Sequence, residues 1–186
     1  VLFRSQLLEA ANSHVEAKLD HPAWLIEKIA MAHAAAEEIC IINNERAPMT
    51  LRVNRRRCSA QEYLAMLDQA GITAAGSNFC ESAVVLTEPV AIDALPGFRE
   101  GYVSVQDEAP QLTPALMNLT PGARVLDACA APGGKTCHLL EYCDDLTVVA
   151  VDRDRKRIGL IRDNLERLSL EAEVVCTELE IGRAHV

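Results

Sequence analysis

A chain of 186 residues is long enough for one ordinary domain or two small ones, and its 49% apolar and 24% charged residues are those of a soluble globular protein. Its longest apolar runs, such as Leu146 to Val151, have strand length and fall far short of a bilayer span. A formal net charge of −9 excludes a generally adhesive nucleic-acid binder but leaves room for a local basic patch.

The cysteines Cys40, Cys58, Cys80, Cys129, Cys137, Cys143 and Cys176 are scattered without a C-x-x-C pair, which points to reduced thiols. Cysteine and histidine do not recur at finger spacing, and His138 shares no helix face with its neighbour Cys137, so no metal site is expected. Without a signal peptide or lipidation motif the expected compartment is the cytoplasm. "VLFRS" (residues 1–5) and "EIGRAHV" (residues 180–186) continue no neighbouring pattern and read as adapter-derived sequence. The chain is therefore expected to be an internal piece of a longer protein.

Residues 6–20 contain a short polar helix, read as the tail of a preceding unit. Next comes a helical segment with Asp20 as N-cap and Pro22 in its first turn, where a missing N–H costs nothing. Trp24, Leu25, Ile29, Ala32 and Ala36 recur at helical spacing, and Asn43-Asn44 with Pro48 ends the segment. Trp24 reads as a core anchor rather than a base-stacking platform. "MTLRVN" is a short strand, and "LRVNRRRCSA" gathers Arg52, Arg55, Arg56 and Arg57 into a cluster that is either a solvated turn or a nucleic-acid contact. "SAQEYLAMLDQAGI" predicts a helix with a Ser59–Glu62 capping box and a stop at Gly71. "SAVVLTEP" and "PVAIDAL" read as strands, with "PGFREGYVSVQD" as connector. Residues 21–100 thus form a small α+β unit that presents the arginine cluster.

The pattern changes over residues 101–179. "DEAPQLTPALMNL" predicts a helix capped by Asp107, "ARVLDACA" a strand, "KTCHLLEYC" a helix, "LTVVAVDRD" a buried strand, and "EAEVVCTE" a third strand. The helix before that third strand carries Ile158, Ile161, Leu165 and Leu168 on one stripe. Strand, helix, strand, helix, strand with short turns predicts a parallel α/β sheet.

The turn "CAAPGGKT" is one residue from a phosphate loop. Cys129 occupies the first glycine position, however, and Pro132 removes a donor from the cradle. Nor is the turn G-x-G-x-x-G. Gly133 and Gly134 allow close main-chain approach to a ligand. Asp127 ends the first strand, where it suits a cationic amino group, and Asp152 ends the second, about 20 residues past the turn, where an acid reaches ribose hydroxyls. Two acids without a phosphate nest suit S-adenosyl-L-methionine, which carries a ribose, an ammonium and a sulfonium.

"VLDACAAPGGKT" followed by "VVAVDRDRKRIGLIRDNLERLSL" resembles the cofactor loop and acidic strand of the RNA cytosine-5 methyltransferases. "GYVSVQDEAPQL" is similar to their entry helix, and "HPAWL" resembles the bacterial 16S ribosomal RNA branch, the RsmB (Sun/Fmu) type. The resemblance implies the first part of a Rossmann-like S-adenosylmethionine-dependent methyltransferase sheet, preceded by a small α+β RNA-recognition-like domain and the remnant of a helical domain. It implies a cofactor pocket lined by Cys129, Ala130, Ala131, Pro132, Gly133, Gly134 and Lys135, with Asp152 on the ribose and Glu178 on the adenine side. It further implies 16S ribosomal RNA as partner, no membrane, no metal, and a full-length protein that acts as a monomer. The family's two catalytic cysteines stand in P-C-S and T-C-S contexts, which this chain lacks. No catalytic residue is assigned, and the segment is expected to be inactive alone. A small-molecule methyltransferase, a nucleoside triphosphatase and a non-catalytic RNA-binding module are the competing readings.

Overall fold

The structure, a computed structural model, describes Gln6 and residues 14–179. Its contacts divide the chain into two units at Ala47/Pro48, inside the segment read above as one α+β unit. In the first unit, helices α1 (Val15–Leu19), α2 (Ala23–Ala32) and α3 (Ala36–Asn43) follow one another. Asp20 is not the expected N-cap. It ends α1 in the left-handed region (φ 53°), and Pro22 occupies the position before α2. The expected single helix breaks at His33, which is extended (φ −140°, ψ 130°). No breaker residue marks this point, and helix propensity is a weak prior that packing overrides. Trp24 is 60% exposed and no residue of α2 is buried, so the tryptophan is not a core anchor. Asn44 Nδ2 donates to Leu19 O at 2.7 Å, tying the end of α3 to that of α1.

The second unit holds two sheets. Strands β1 (Met49–Val53), β2 (Ala74–Gly76), β3 (Ala83–Leu86) and β4 (Val103–Val105) pair antiparallel in the order β2-β3-β1-β4. Leu51 lies opposite Val84 on one side and Val105 on the other. Helix α4 (Ala60–Gln69) packs Tyr63 and Leu67 onto Leu51, Val53, Val84 and Val103. Two strand assignments change. "PVAIDAL" forms a 3-10 turn at Ile92–Ala94 between Pro89 and Pro96, because proline cannot donate to a ladder. The supposed connector contains β4, which supplies the second edge of β1.

Side chains alternate across a strand, so Thr50, Arg52 and Asn54 lie on the face of β1 opposite Leu51 and Val53. All three polar side chains are nonetheless buried, Arg52 to 1% exposure. That face is covered by the helix over Gly134–Tyr142, where Arg52 meets Glu141 and the Gly134 carbonyl.

The segment after β4 divides into α5 (Glu108–Gln111) and α6 (Thr113–Leu116). Pro114 has no N–H for the Pro110 carbonyl, which accounts for the split. Asp107 sits at the N-cap position without a side-chain cap bond. Strands β5 (Arg124–Ala128), β6 (Thr147–Asp152) and β7 (Glu173–Cys176) then pair in parallel, with Leu126 beside Val149 and Val151 beside Val175. Helix α7 (Gly134–Tyr142) joins β5 to β6, and α8 (Arg155–Leu168) joins β6 to β7. Ile158, Ile161, Leu165 and Leu168 are all buried against Val125, Val148 and Ala150, as the helical stripe required. Among the described residues no helix is long and apolar enough to cross a membrane.

The α4 capping box is present in both directions: Ser59 Oγ accepts from Glu62 N at 3.2 Å, and Glu62 Oε2 accepts from Ser59 N at 2.7 Å. Ser59→Ala is expected to lower the unfolding free energy by about 1 kcal/mol. The measurement is the urea midpoint, which should fall with an unchanged slope.

Candidate cofactor site

The apolar run of β5 ends in Asp127, and the chain turns through Cys129–Gly133 into α7. Cys129 lies in the left-handed region (φ 62°), and the Ala131–Pro132 bond is cis. Gly133 has φ +99°, and a Cβ there would lie 3.2 Å from Ile161 Cα on α8. The turn therefore requires glycine at this position twice over, for backbone conformation and for close packing.

The loop's amides are already engaged within the protein. Ala130 N donates to Val151 O at 2.9 Å, Ala131 N to Asp152 Oδ2 at 3.0 Å, and Gly133 N to Ala130 O at 2.7 Å. Pro132 has no amide proton. Three amides of the turn are therefore directed inward, while those of Gly134, Lys135 and Thr136, in the first turn of α7, meet no acceptor among the described residues.

Three loop carbonyls are held from outside. Arg157 Nη2 donates to Ala131 O at 2.6 Å, Asn164 Nδ2 to Pro132 O at 3.0 Å, and Arg52 Nη1 to Gly134 O at 2.9 Å. Sequence reasoning gave Arg157 and Asn164 no part in the site. Their only sequence signal is a spacing of two helical turns, with Ile161 between them.

Asp152 is 5% exposed and accepts from Ala131 N and, through Oδ1, from Asp154 N at 2.9 Å. The Asp154 and Ala131 amides, with Arg157 and Arg153 nearby, hold its carboxyl below the usual carboxylate range. It remains ionised. The α8 cap is Asp154, which accepts from Lys156 N and Arg157 N, so Asp152 is not itself the cap. Asp127 does not stand open for an ammonium group alone, because its Oδ2 accepts from Thr136 Oγ1 at 2.6 Å.

Cys129, Asp152, Arg153 and Glu178 line a cavity of about 310 Å³ at the C-terminal ends of the strands. Glu178 is exposed and lies 3.6 Å from Arg153 Nη1. Pro132 and Gly134 instead line a second cavity of about 240 Å³, with Arg52, Phe98 and Arg167. Ala130 and Ala131 are buried beneath the turn, and Lys135 is exposed and does not line the first cavity. The structure thus gathers Cys129, Asp152 and Glu178 at one opening and leaves the rest of the motif as the scaffold of the turn.

The arginine cluster is not a uniform basic surface. Arg52 is internal, Arg56 pairs with Asp144 and donates to Glu141 O, and Arg55 pairs with Glu81 at 3.1 Å. Arg57 is exposed and has no carboxylate partner among the described residues.

Burial pushes the Cys137 thiol up to about 12, although Arg52 opposes the shift. Burial, reinforced by Arg52, pushes His138 down to about 3. One is a neutral thiol and the other a neutral imidazole, and neither is poised for chemistry. Among the described residues no three His, Cys, Asp or Glu side chains converge as metal ligands.

A parallel sheet with a glycine turn after its first strand and an acid ending its second is the opening half of a Rossmann-like methyltransferase fold, here preceded by a ferredoxin-like sheet. Comparison with known proteins gives the same result. Residues 21–93 match the ferredoxin-like domain of RsmF/B-like methyltransferases, and residues 114–182 match the 16S rRNA methyltransferase RsmB/F model. The chain is 51% identical over 160 residues to ribosomal RNA small subunit methyltransferase B of Pseudomonas syringae pv. tomato, covering 85% of this chain and 36% of that protein. It is 45% identical over 169 residues to the Vibrio cholerae protein of the same name, covering 89% and 38%. The crystal structure of PH0851 superposes with a TM-score of 0.80 at 27% identity, covering 88% of this chain and 38% of that one. A methyltransferase homolog protein from Pyrococcus horikoshii gives 0.66 at 25% identity, covering 84% and 56%. The chain belongs to the RsmB/F methyltransferase family. It spans 36% and 38% of the length of these two curated relatives.

The thiols should separate by burial. Under native conditions iodoacetamide is expected to label the exposed Cys129 and Cys176 and to spare the buried Cys40 and Cys137, which should react only in denaturant. Peptide mass mapping reads the result.

Proposed function

We propose that this chain is the RNA-recognition and cofactor-binding segment of an S-adenosylmethionine-dependent enzyme that methylates carbon 5 of a cytosine in 16S ribosomal RNA. The observation that carries this reading is the opening at the strand ends, where Asp152, held ionised by the Ala131 and Asp154 amides, stands with Glu178 beside a cavity. Carboxylates so placed suit the hydroxyls of a sugar-bearing ligand. A cavity of about 310 Å³ also lies within the range of small-molecule sites.

When bound, S-adenosylmethionine supplies a methyl group on a sulfonium. The chain's own residues bind and orient it. Asp152 accepts one amide on each oxygen and keeps a lone pair on each, which suits the two ribose hydroxyls. Glu178 lies on the same opening and takes the adenine side, and Gly133 and Gly134 keep the turn thin. No nucleophile is assigned to this chain, since Cys137 holds its proton and Cys129 belongs to the turn.

Arg55, Arg56 and Arg57 are exposed; Arg56 is engaged by Asp144 and the Glu141 carbonyl, and Arg55 and Arg57 are assigned to the RNA backbone. The Arg55–Glu81 pair is solvent-exposed and worth little, so Arg55 remains available. Ribosomal RNA as substrate places the enzyme in the cytoplasm.

Calorimetric titration is expected to show S-adenosylmethionine binding more tightly than ATP. Asp152→Ala should weaken it from about tenfold upward, since charge-assisted hydrogen bonds contribute about 1.5–3 kcal/mol each. Tighter binding of ATP would overturn the cofactor assignment. Replacing Arg55 and Arg57 together with glutamine should weaken binding of a 16S rRNA hairpin and flatten its salt dependence by about one slope unit per lost phosphate contact. An unchanged slope would remove these arginines from the RNA surface.

A further inference from the structure

Arg52, Arg157 and Asn164 each donate to a different carbonyl at the cofactor turn, Gly134, Ala131 and Pro132 respectively; Arg52 and Asn164 border the second cavity, and Arg157 borders the cofactor opening. They come from separate parts of the unit. Arg157 and Asn164 lie on α8, which follows the second strand, whereas Arg52 lies on β1 of the antiparallel sheet. We propose that these three side chains are positioning residues that hold the turn in its ligand-binding shape, and that Arg52 carries this function across from the antiparallel sheet. The proposal rests on the cofactor reading above.

The turn is held from within by three amide hydrogen bonds and by the contact of Gly133 with Ile161. It is irregular backbone over Cys129–Gly133, with one left-handed non-glycine residue and a proline without an amide. Among its carbonyls, Ala130 O accepts from Gly133 N and Gly133 O from Cys137 N, whereas among the described residues Ala131 O and Pro132 O meet only the outside donors, without which their peptide planes would be free to rotate away from the cavity. Each outside donor restrains one plane. Two of the three donors are guanidinium groups, which bind more strongly than neutral amides. The arrangement at Arg52 is also more than a structural ion pair. Nε and Nη2 grip Glu141 Oε2 and Oε1, both at 3.0 Å, while Nη1 is directed elsewhere, to Gln106 Oε1 at 2.6 Å and Gly134 O at 2.9 Å. Glu141 lies on α7, whose first residue is Gly134, so one guanidinium fixes the helix at both ends.

Two variants of the full chain separate positioning from plain stability. Arg52→Met with Glu141→Met removes both buried charges together, because removing one alone leaves the other unpaired and threatens folding. Asn164→Ala acts from α8, at a side chain outside the core that does not line the cofactor opening. Each variant is titrated with S-adenosylhomocysteine, melted, and followed by amide hydrogen exchange. The expected result for each is at least tenfold weaker binding, with faster exchange confined to the Ala131 and Gly133 amides and the strands still protected. Native-like binding by both variants, with the parent chain binding normally, would overturn the positioning role and leave the cofactor reading intact. Weaker binding with exchange accelerated across both sheets would also overturn it, because loss of stability then explains the effect. Absence of binding by the parent chain would overturn the proposal together with the reading it rests on.

Discussion

The second unit depends on a buried guanidinium. Arg52 is 1% exposed, and its partner Glu141 is buried as well. Desolvating two charges is costly, and such a pair adds stability only when geometry is good and the remaining donors are satisfied. Here both carboxylate oxygens are met by separate nitrogens, and Gln106 and the Gly134 carbonyl take another. An apolar pair of the same volume would fill the space between the sheets equally well. It would not set the angle at which α7 leaves the turn, and that angle aims the ligand-facing backbone.

A second arginine repeats the principle at the far end of the same seam. Arg167, in the last turn of α8, donates to the carbonyls of Phe98 and Val103 and to Ser104 Oγ, and its guanidinium stacks 4.1 Å from the Phe98 ring centroid. Gly101 completes this contact, because a Cβ there would lie 3.1 Å from Arg167 O. The two sheets are thus joined by directional bonds to backbone carbonyls, which fix orientation in a way that apolar contact alone does not. The relative geometry of the antiparallel sheet and the turn is set in this manner.

The turn departs from a phosphate loop at two positions. Cys129 and Pro132 stand where such a loop would need flexible donors, and the amides of Ala130, Ala131 and Gly133 are directed inward, onto Val151, Asp152 and Ala130. The opening beside it carries Asp152 and Glu178 together with Arg153 and Arg157. Asp152 then has two roles, fixing Ala131 and facing the cavity.

Local pattern determined a good deal. The alternation of β1, the capping box of α4, the three apolar strands, the buried stripe of α8 and the acid ending β6 all follow from periodicity and end signals within a few residues. Where the deciding partner was distant, the sequence was silent or misleading. Trp24 carries a core residue's side chain, yet it is 60% exposed among the described residues. Val103–Val105 is too short to announce itself and is a strand only because β1 has a second edge to pair. Arg52 reads as one more charge in a basic run, but strand alternation turns it to the opposite face from Leu51, where Glu141, 89 residues away, waits. Short-range order is written in spacing. The choice between surface cation and internal strut needs a partner that only the folded chain brings near.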